Sequence, residues 1–170
     1  MRTITSTLVA LAVISTASAD LKSDINTMNT AVTKAFMKKD FVAVEKAMKA
    51  GLAPGFKYVE AGKTQTFDEM FQGVKGGLGA FSKITNAKAV TSNLKIKGNS
   101  ATGTTTHTIE AIMVMDKKPH KMVMVGTSKD EFKKFGKDWK MTVMTWGSQT
   151  MTLDGKPMGP AMSGSRPPKK

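Results

Sequence analysis

The stretch ITNAKAVTSNLKIKGNSATGTTTHTIEAIMVMDKKPHKMVMVGTSKDEFKKFGKDWKMTVMTWGSQTMTL, running from Ile84 to Leu153, decides the fold. Its apolar period is two residues, and it is rich in threonine and valine, both of which suit strands. Gly98-Asn99, Asp116-Lys-Lys-Pro119 and Phe135-Gly-Lys-Asp138 are turn signals that divide it into four strands. Strands that follow one another through short polar turns pair antiparallel. The stretch therefore predicts a meander, and the chain before it must supply helices to cover the sheet.

Parity assigns the side chains to faces. Ala101, Gly103, Thr105, His107, Ile109, Ala111, Met113 and Met115 fall on one face, and Thr102, Thr104, Thr106, Thr108, Glu110, Ile112 and Val114 on the other. Met122 and Met124 alternate with Val123 and Val125, and Trp139, Met141 and Val143 alternate with Met144 and Trp146. Neither face is wholly polar, which predicts that both are covered or self-associated.

Upstream the period is helical. Leu21, Ile25, Met28, Val32, Ala35 and Phe36 make one face of a helix ending near Lys38-Lys39, where cations favour a helix C-terminus. Asp40 reads as the N-cap of a second helix with Phe41, Val44, Ala47 and Met48 on one side, stopped by Gly51. After Pro54-Gly55, Phe56 to Glu60 alternates like a short strand and Ala61-Gly62-Lys63 turns it back as a small hairpin. Thr66-Phe67-Asp68-Glu69 has the capping-box pattern of a third helix, with Met70, Phe71, Val74 and Leu78 as its apolar stripe. Gly73, Gly76, Gly77 and Gly79 predict that this helix ends early or bends, since each glycine costs about 1 kcal/mol relative to alanine.

The two ends are of different character. Arg2, the apolar Leu8 to Ile14, and Ala17-Ser18-Ala19 form the pattern of a secretory signal peptide over residues 1–19, with cleavage expected after Ala19. The apolar run is far shorter than the roughly 20 residues that span a bilayer. The expected destination is the periplasm or the exterior, as a single domain over residues 20–156. Residues 157–170, rich in Gly, Pro, Ser and Lys, read as a disordered basic tail.

Twenty-six Lys and Arg against thirteen Asp and Glu give a formal charge of +13, which favours an anionic surface as partner. A nucleic-acid site is not indicated, because no recognition module or aromatic-rich basic strand accompanies the lysines. The absence of cysteine excludes disulfides, thiolate metal sites and a cysteine nucleophile. The only histidines, His107 and His120, have no metal-ligand spacing around them, so no metal and no cofactor is expected.

A helix pair, short hairpin, capped third helix and four-strand meander, in that order, resembles the nuclear transport factor 2-like (SnoaL-like) superfamily. The residues that carry the resemblance are Asp40 after Met37-Lys38-Lys39, the Gly62 turn before Thr66-x-x-Glu69, Asn99-Ser-Ala-Thr-Gly103, and Lys137-Asp138-Trp139-Lys140-Met141. The resemblance implies an α+β fold in which a curved antiparallel sheet wraps three N-terminal helices as a cone. It also implies an apolar pocket, for which Phe36, Phe56, Tyr58, Phe71, His107, Met113, Met124 and Trp146 are the expected lining, and a homodimer formed through the sheet.

Such a fold hosts enzymes and binders alike, so the site must choose between them. Enzymes of the family place a carboxylate, sometimes with Tyr or His, in the pocket. The matching candidates here are Glu60 or His107 as base and Tyr58 as hydrogen-bond donor, while parity sets Glu110 on the face opposite His107. Without an evident acid–base pair, the sequence favours non-catalytic binding of a small apolar or amphipathic ligand. An isomerase, cyclase or hydratase is the alternative, and a structural or partner-binding dimer a further one.

Overall fold

The computed structural model describes the backbone of residues 5–158 and the side-chain surroundings of residues 19–158. Three helices, α1 (Thr5–Met37), α2 (Phe41–Gly51) and α3 (Phe67–Gly79), lie on one face of a sheet. Its strands are β1 (Leu52–Glu60), β2 (Lys63–Gln65), β3 (Phe81–Lys97), β4 (Ser100–Met115), β5 (Lys118–Phe135), β6 (Asp138–Leu153) and β7 (Lys156–Pro157). The meander forms through the expected turns. Asp116 and Lys117, both at positive φ, match the two-residue hairpin loop whose twist suits its strands.

The sheet is mixed rather than antiparallel. In the order β2-β1-β6-β5-β4-β3, β1 runs parallel to β6, with Tyr58 beside Met144. The long excursion through β2, α3 and the meander lets the chain return beside β1 in the same direction. A register shift between Leu52 and Lys57 absorbs Pro54-Gly55, so β1 begins at Leu52 and not after the break.

Both predicted caps form. Asp40 accepts a hydrogen bond from the Ala43 amide at 3.0 Å, and Thr66 and Glu69 make the reciprocal box, with the Thr66 amide 2.8 Å from the Glu69 carboxylate. The α3 glycines do not end the helix. It runs to Gly79, because the capping box fixes its start, Met70, Phe71 and Leu78 are buried against the domain, and the glycines face open space. α1 likewise begins upstream of the expected start, with no Gly or Pro between Thr5 and Met37 to interrupt it. Arg2 and the side chains of residues 1–18, on which the signal-peptide reading rests, lie outside the described residues. Among the described residues no helix is long and apolar enough to cross a membrane.

Two apolar clusters hold the helices to the sheet. The first gathers Leu21, Ile25, Phe56, Met70, Phe132, Trp139 and Met141, and the second Leu78, Phe81, Ile84, Ala111 and Met122. A third, smaller cluster of Ala35, Val44 and Phe71 joins the helices to one another. The middle of α1 is tied to the β5–β6 hairpin by polar contacts. Asp24 accepts the Trp139 amide at 2.8 Å, and Asp20 lies 3.6 Å from Lys134.

Among the described residues only one sheet face is covered. The other carries threonines and lysines, with Val90, Val114 and Val125 exposed. Pro157 belongs to β7 instead of opening a tail, and the Met158 amide donates to the Met151 carbonyl at 2.8 Å. The remainder of the expected tail, 159–170, lies outside the described residues.

Candidate functional site

The covered face is built in rows that run across the strands. At one end Met141, Phe132, Ala101 and Ile96 stand side by side, and at the other Leu153, Met122, Ala111 and Ile84, preceded by Met151, Met124, Ile109 and Ala87. The rows between them are polar. One holds Tyr58, Met144, Asp130 and Gly103, the next Trp146, Ser128, Thr105 and Thr91, and the third Gln149, Gly126, His107 and Ala89. A band of hydrogen-bonding groups thus separates two apolar clusters on the concave face.

Register shifts in β5–β6 bring Trp146 into this band. One between Glu131 and Phe132 sets Met144 against Asp130 while Met141 stays against Phe132, so Met141, Met144 and Trp146 share a face that simple alternation divides. Gly126 accommodates the indole. A Cβ there would come within 2.5 Å of the Trp146 ring, which leaves glycine as the residue that fits.

The band is internally bonded. Thr91 and Thr105 hydroxyls are 2.8 Å apart, the Thr105 hydroxyl donates a short hydrogen bond to Asp130 Oδ2, and His107 Nε2 lies 2.9 Å from Ser128 Oγ. Asp130 is 1% exposed, and its second oxygen, Oδ1, has no hydrogen-bond partner among the described residues. Burial raises the Asp130 pKa above the ordinary carboxylate value, while Thr105 and Ser128 pull it back. Burial also pushes the His107 pKa down to about 4. The imidazole is neutral at physiological pH and offers one donor and one acceptor. His107 and Trp146 rings are 5.0 Å apart, and both are only partly buried, so the band opens to solvent on their side.

The expected pocket residues are distributed over the three core clusters and the central band. Phe56 and Tyr58 pack in the first cluster, Met113 and Met124 in the second, Phe71 in the third, and Phe36 between the second and third. His107 and Trp146 are in contact, as grouped. Tyr58 shares Asp130's row two strands away, and its acidity is suppressed by burial first and by the neighbouring Glu60 carboxylate second. Glu60 is half-buried beyond Tyr58 on β1, and no hydrogen bond links either residue to His107 among the described contacts. Glu110 is on the opposite face, as parity requires, bonded to Asn86 at 3.0 Å and Lys121 at 2.7 Å. His120 pairs with Asp154 at 2.7 Å at the sheet's end. No cluster of metal-ligating side chains occurs among the described residues.

Asp130, Ser128, Thr105 and Thr91 were not among the sequence candidates. The signal was available, since the alternation that begins with Met122 and Met124 continues through Gly126, Ser128 and Asp130 to Phe132, placing a carboxylate on an apolar face. Elsewhere a groove of about 700 Å³ opens on the far side of the sheet near Asn93, Lys95, Thr102, Thr104, Lys129, Glu131 and Thr145, with Leu94, Gly103 and Asp130 completing its lining.

This architecture is the nuclear transport factor 2-like α+β cone. The Kfla4162 protein of Kribbella flavida superposes with a TM-score of 0.56 over 78% of this chain and 94% of its own, at 14% identity. A nuclear transport factor 2-like superfamily protein from Salmonella enterica serovar Typhimurium gives 0.55 over 88% and 99% at 10% identity. A nuclear transport factor 2-like protein of unknown function from Shewanella oneidensis gives 0.53 over 75% and 98% at 14%. At these identities the likeness is one of fold. No family model matches the chain, and no curated protein aligns with it significantly.

Proposed function

We propose that the protein binds a small amphipathic molecule at the polar band, holding its polar group with Asp130 and its apolar body between the flanking clusters. The observation that supports this most is the unpartnered Oδ1 of the buried Asp130 carboxyl. A buried oxygen without a partner costs about 1–3 kcal/mol, and a ligand hydroxyl or N–H would offset that cost on binding. Trp146, beside His107 at the open side, supplies an aromatic face. The ligand is uncharged in this reading, because apolar rows bound the band on both sides and Asp130 opposes an anion.

The binding form is the exported chain beginning at Asp20. The signal-peptide pattern of residues 1–19 supports this reading, and Leu21, just past the expected cleavage point, belongs to the buried core. N-terminal sequencing of secreted material checks it, and an intact Met1 would contradict it.

The experiment for binding is quenching of Trp146 fluorescence by 4-ethylphenol and by ethylbenzene, which differ by the hydroxyl alone. The phenol is expected to bind 10- to 100-fold tighter, as a hydrogen bond to a buried charged group is worth about 1.5–3 kcal/mol. Equal affinities, or quenching that persists in W146F, would defeat the reading. A second reading, proton transfer with His107 as base, is favoured by its neutral state and its bond to Ser128. It requires a bound molecule that wild type alters chemically and H107Q does not.

A further inference from the structure

On the opposite face of the sheet, the groove near Lys95 and Lys129 is shaped by a break in the strand pairing. The register of β3 shifts between Ser92 and Lys95, and Asn93 sits at φ 53, in the left-handed region that asparagine tolerates. The bulge turns Leu94 inward to the first apolar cluster, against Gly103, where a Cβ would come within 2.9 Å of Leu94. Asn93 and Lys95 are thereby left outward. Facing them are the outward threonines of β4, Thr102 and Thr104, and then Lys129 on β5.

We infer that this groove is a binding site for an acidic polysaccharide. Lys95 and Lys129 are exposed and carry no ion pair among the described residues, unlike Lys121, which Glu110 engages. They lie two strands and one row apart, so their backbones are roughly 12 Å from each other with threonine hydroxyls between them. Two separated cations bridged by hydroxyl groups match a chain that alternates carboxylate groups with sugar hydroxyls. Of the two carboxylates in the lining, Asp130 is buried and Glu131 stands exposed beside Thr102, which sets a limit on where an anion sits. No aromatic side chain lines the groove to stack on nucleobases, and its concave, hydroxylated floor does not suit a lipid surface. Leu94, Gly103 and Asp130, whose rows belong to the covered face, also line the groove, so it adjoins the central band through the sheet.

The test is affinity of the mature chain for oligogalacturonate at fixed moderate salt, with neutral dextran, single-stranded DNA and phosphatidylglycerol vesicles as comparison arms. K95Q/K129Q is expected to weaken oligogalacturonate binding at least 10-fold, while K117Q/K118Q, with the same loss of charge at a distant turn, changes it less than 2-fold. T102V/T104V is expected to weaken it at least 3-fold with no change in charge. Equal losses from the two lysine pairs, or no effect of the threonine pair, would reduce the binding to net charge and overturn the proposal. Tighter binding of DNA or vesicles with the same dependence on Lys95 and Lys129 would overturn the polysaccharide assignment. So would a ligand-free dimer that protects these two lysines from acetylation.

Discussion

Replacing Asp130 by asparagine should make the protein more stable and less able to bind. The carboxyl is 1% exposed, Thr105 donates to Oδ2, and Oδ1 is unpartnered. Because burial raises its folded pKa above 3.8, the contribution of this group to stability is intact below that value. It is lost as the pH rises through the folded pKa, by about 1.4 kcal/mol for each unit of separation. Asparagine keeps the shape and the acceptor for Thr105 but carries no charge. Its own buried N–H groups cancel part of the gain, so D130N is expected to be more stable than wild type at pH 7 by roughly 1–3 kcal/mol. That corresponds to an increase on the order of 1 M in the urea midpoint. Urea unfolding of both proteins from pH 3.5 to pH 8 should show curves that nearly coincide in acid and separate as pH rises. A D130N protein that is less stable at pH 7, or a difference independent of pH, would refute the reasoning. Stability gained where binding is lost is the usual sign of a group retained for function.

Three further outcomes follow from the same rows and ties. The His107 pKa falls from 6.5 to about 4 on folding, so its contribution is present above 6.5 and lost as pH drops through 4; relative to H107Q, wild type should lose roughly 3 kcal/mol between pH 7 and pH 4 in denaturant titrations. G126A forces a Cβ to 2.5 Å from the Trp146 ring and should cost about 1–3 kcal/mol with a changed tryptophan emission, whereas an unshifted spectrum would show that the indole is elsewhere. D24A removes the acceptor of the Trp139 amide and should cost about 1–3 kcal/mol in thermal or urea unfolding, while D24N, which keeps an acceptor oxygen, should cost less.

The meander was legible because its turns are local: Gly98-Asn99, Asp116-Lys117 and Gly136-Lys137 interrupt a period of two with residues that accept hairpin conformations. Asp40 and Thr66 were legible for the same reason, as each cap is satisfied within three residues. What escaped was nonlocal or irregular. The parallel pairing of β1 with β6 joins segments more than eighty residues apart, and nothing in Leu52–Glu60 names its neighbour. The register shift opposite Glu131 moves Met144 and Trp146 onto the face of Met141, and alternation alone cannot foresee a bulge. Asp130 is a different case, because unbroken parity from Met122 through Phe132 points it inward. Its charged neighbours Lys129 and Glu131 point the other way, so only the parity, and not the local composition, marks the position as inward. Among the eight expected pocket residues, His107 and Trp146 came together since both belong to the central rows, and the phenylalanines dispersed into the clusters that fasten the helices.

Crystals of the mature chain soaked with 4-ethylphenol address most directly whether the central band is a binding site. The expected result is density with the hydroxyl oxygen at hydrogen-bond distance from Asp130 Oδ1 and the ring against Trp146. Density in the groove beside Lys95 instead, or a central band that stays empty at saturating phenol, would contradict it.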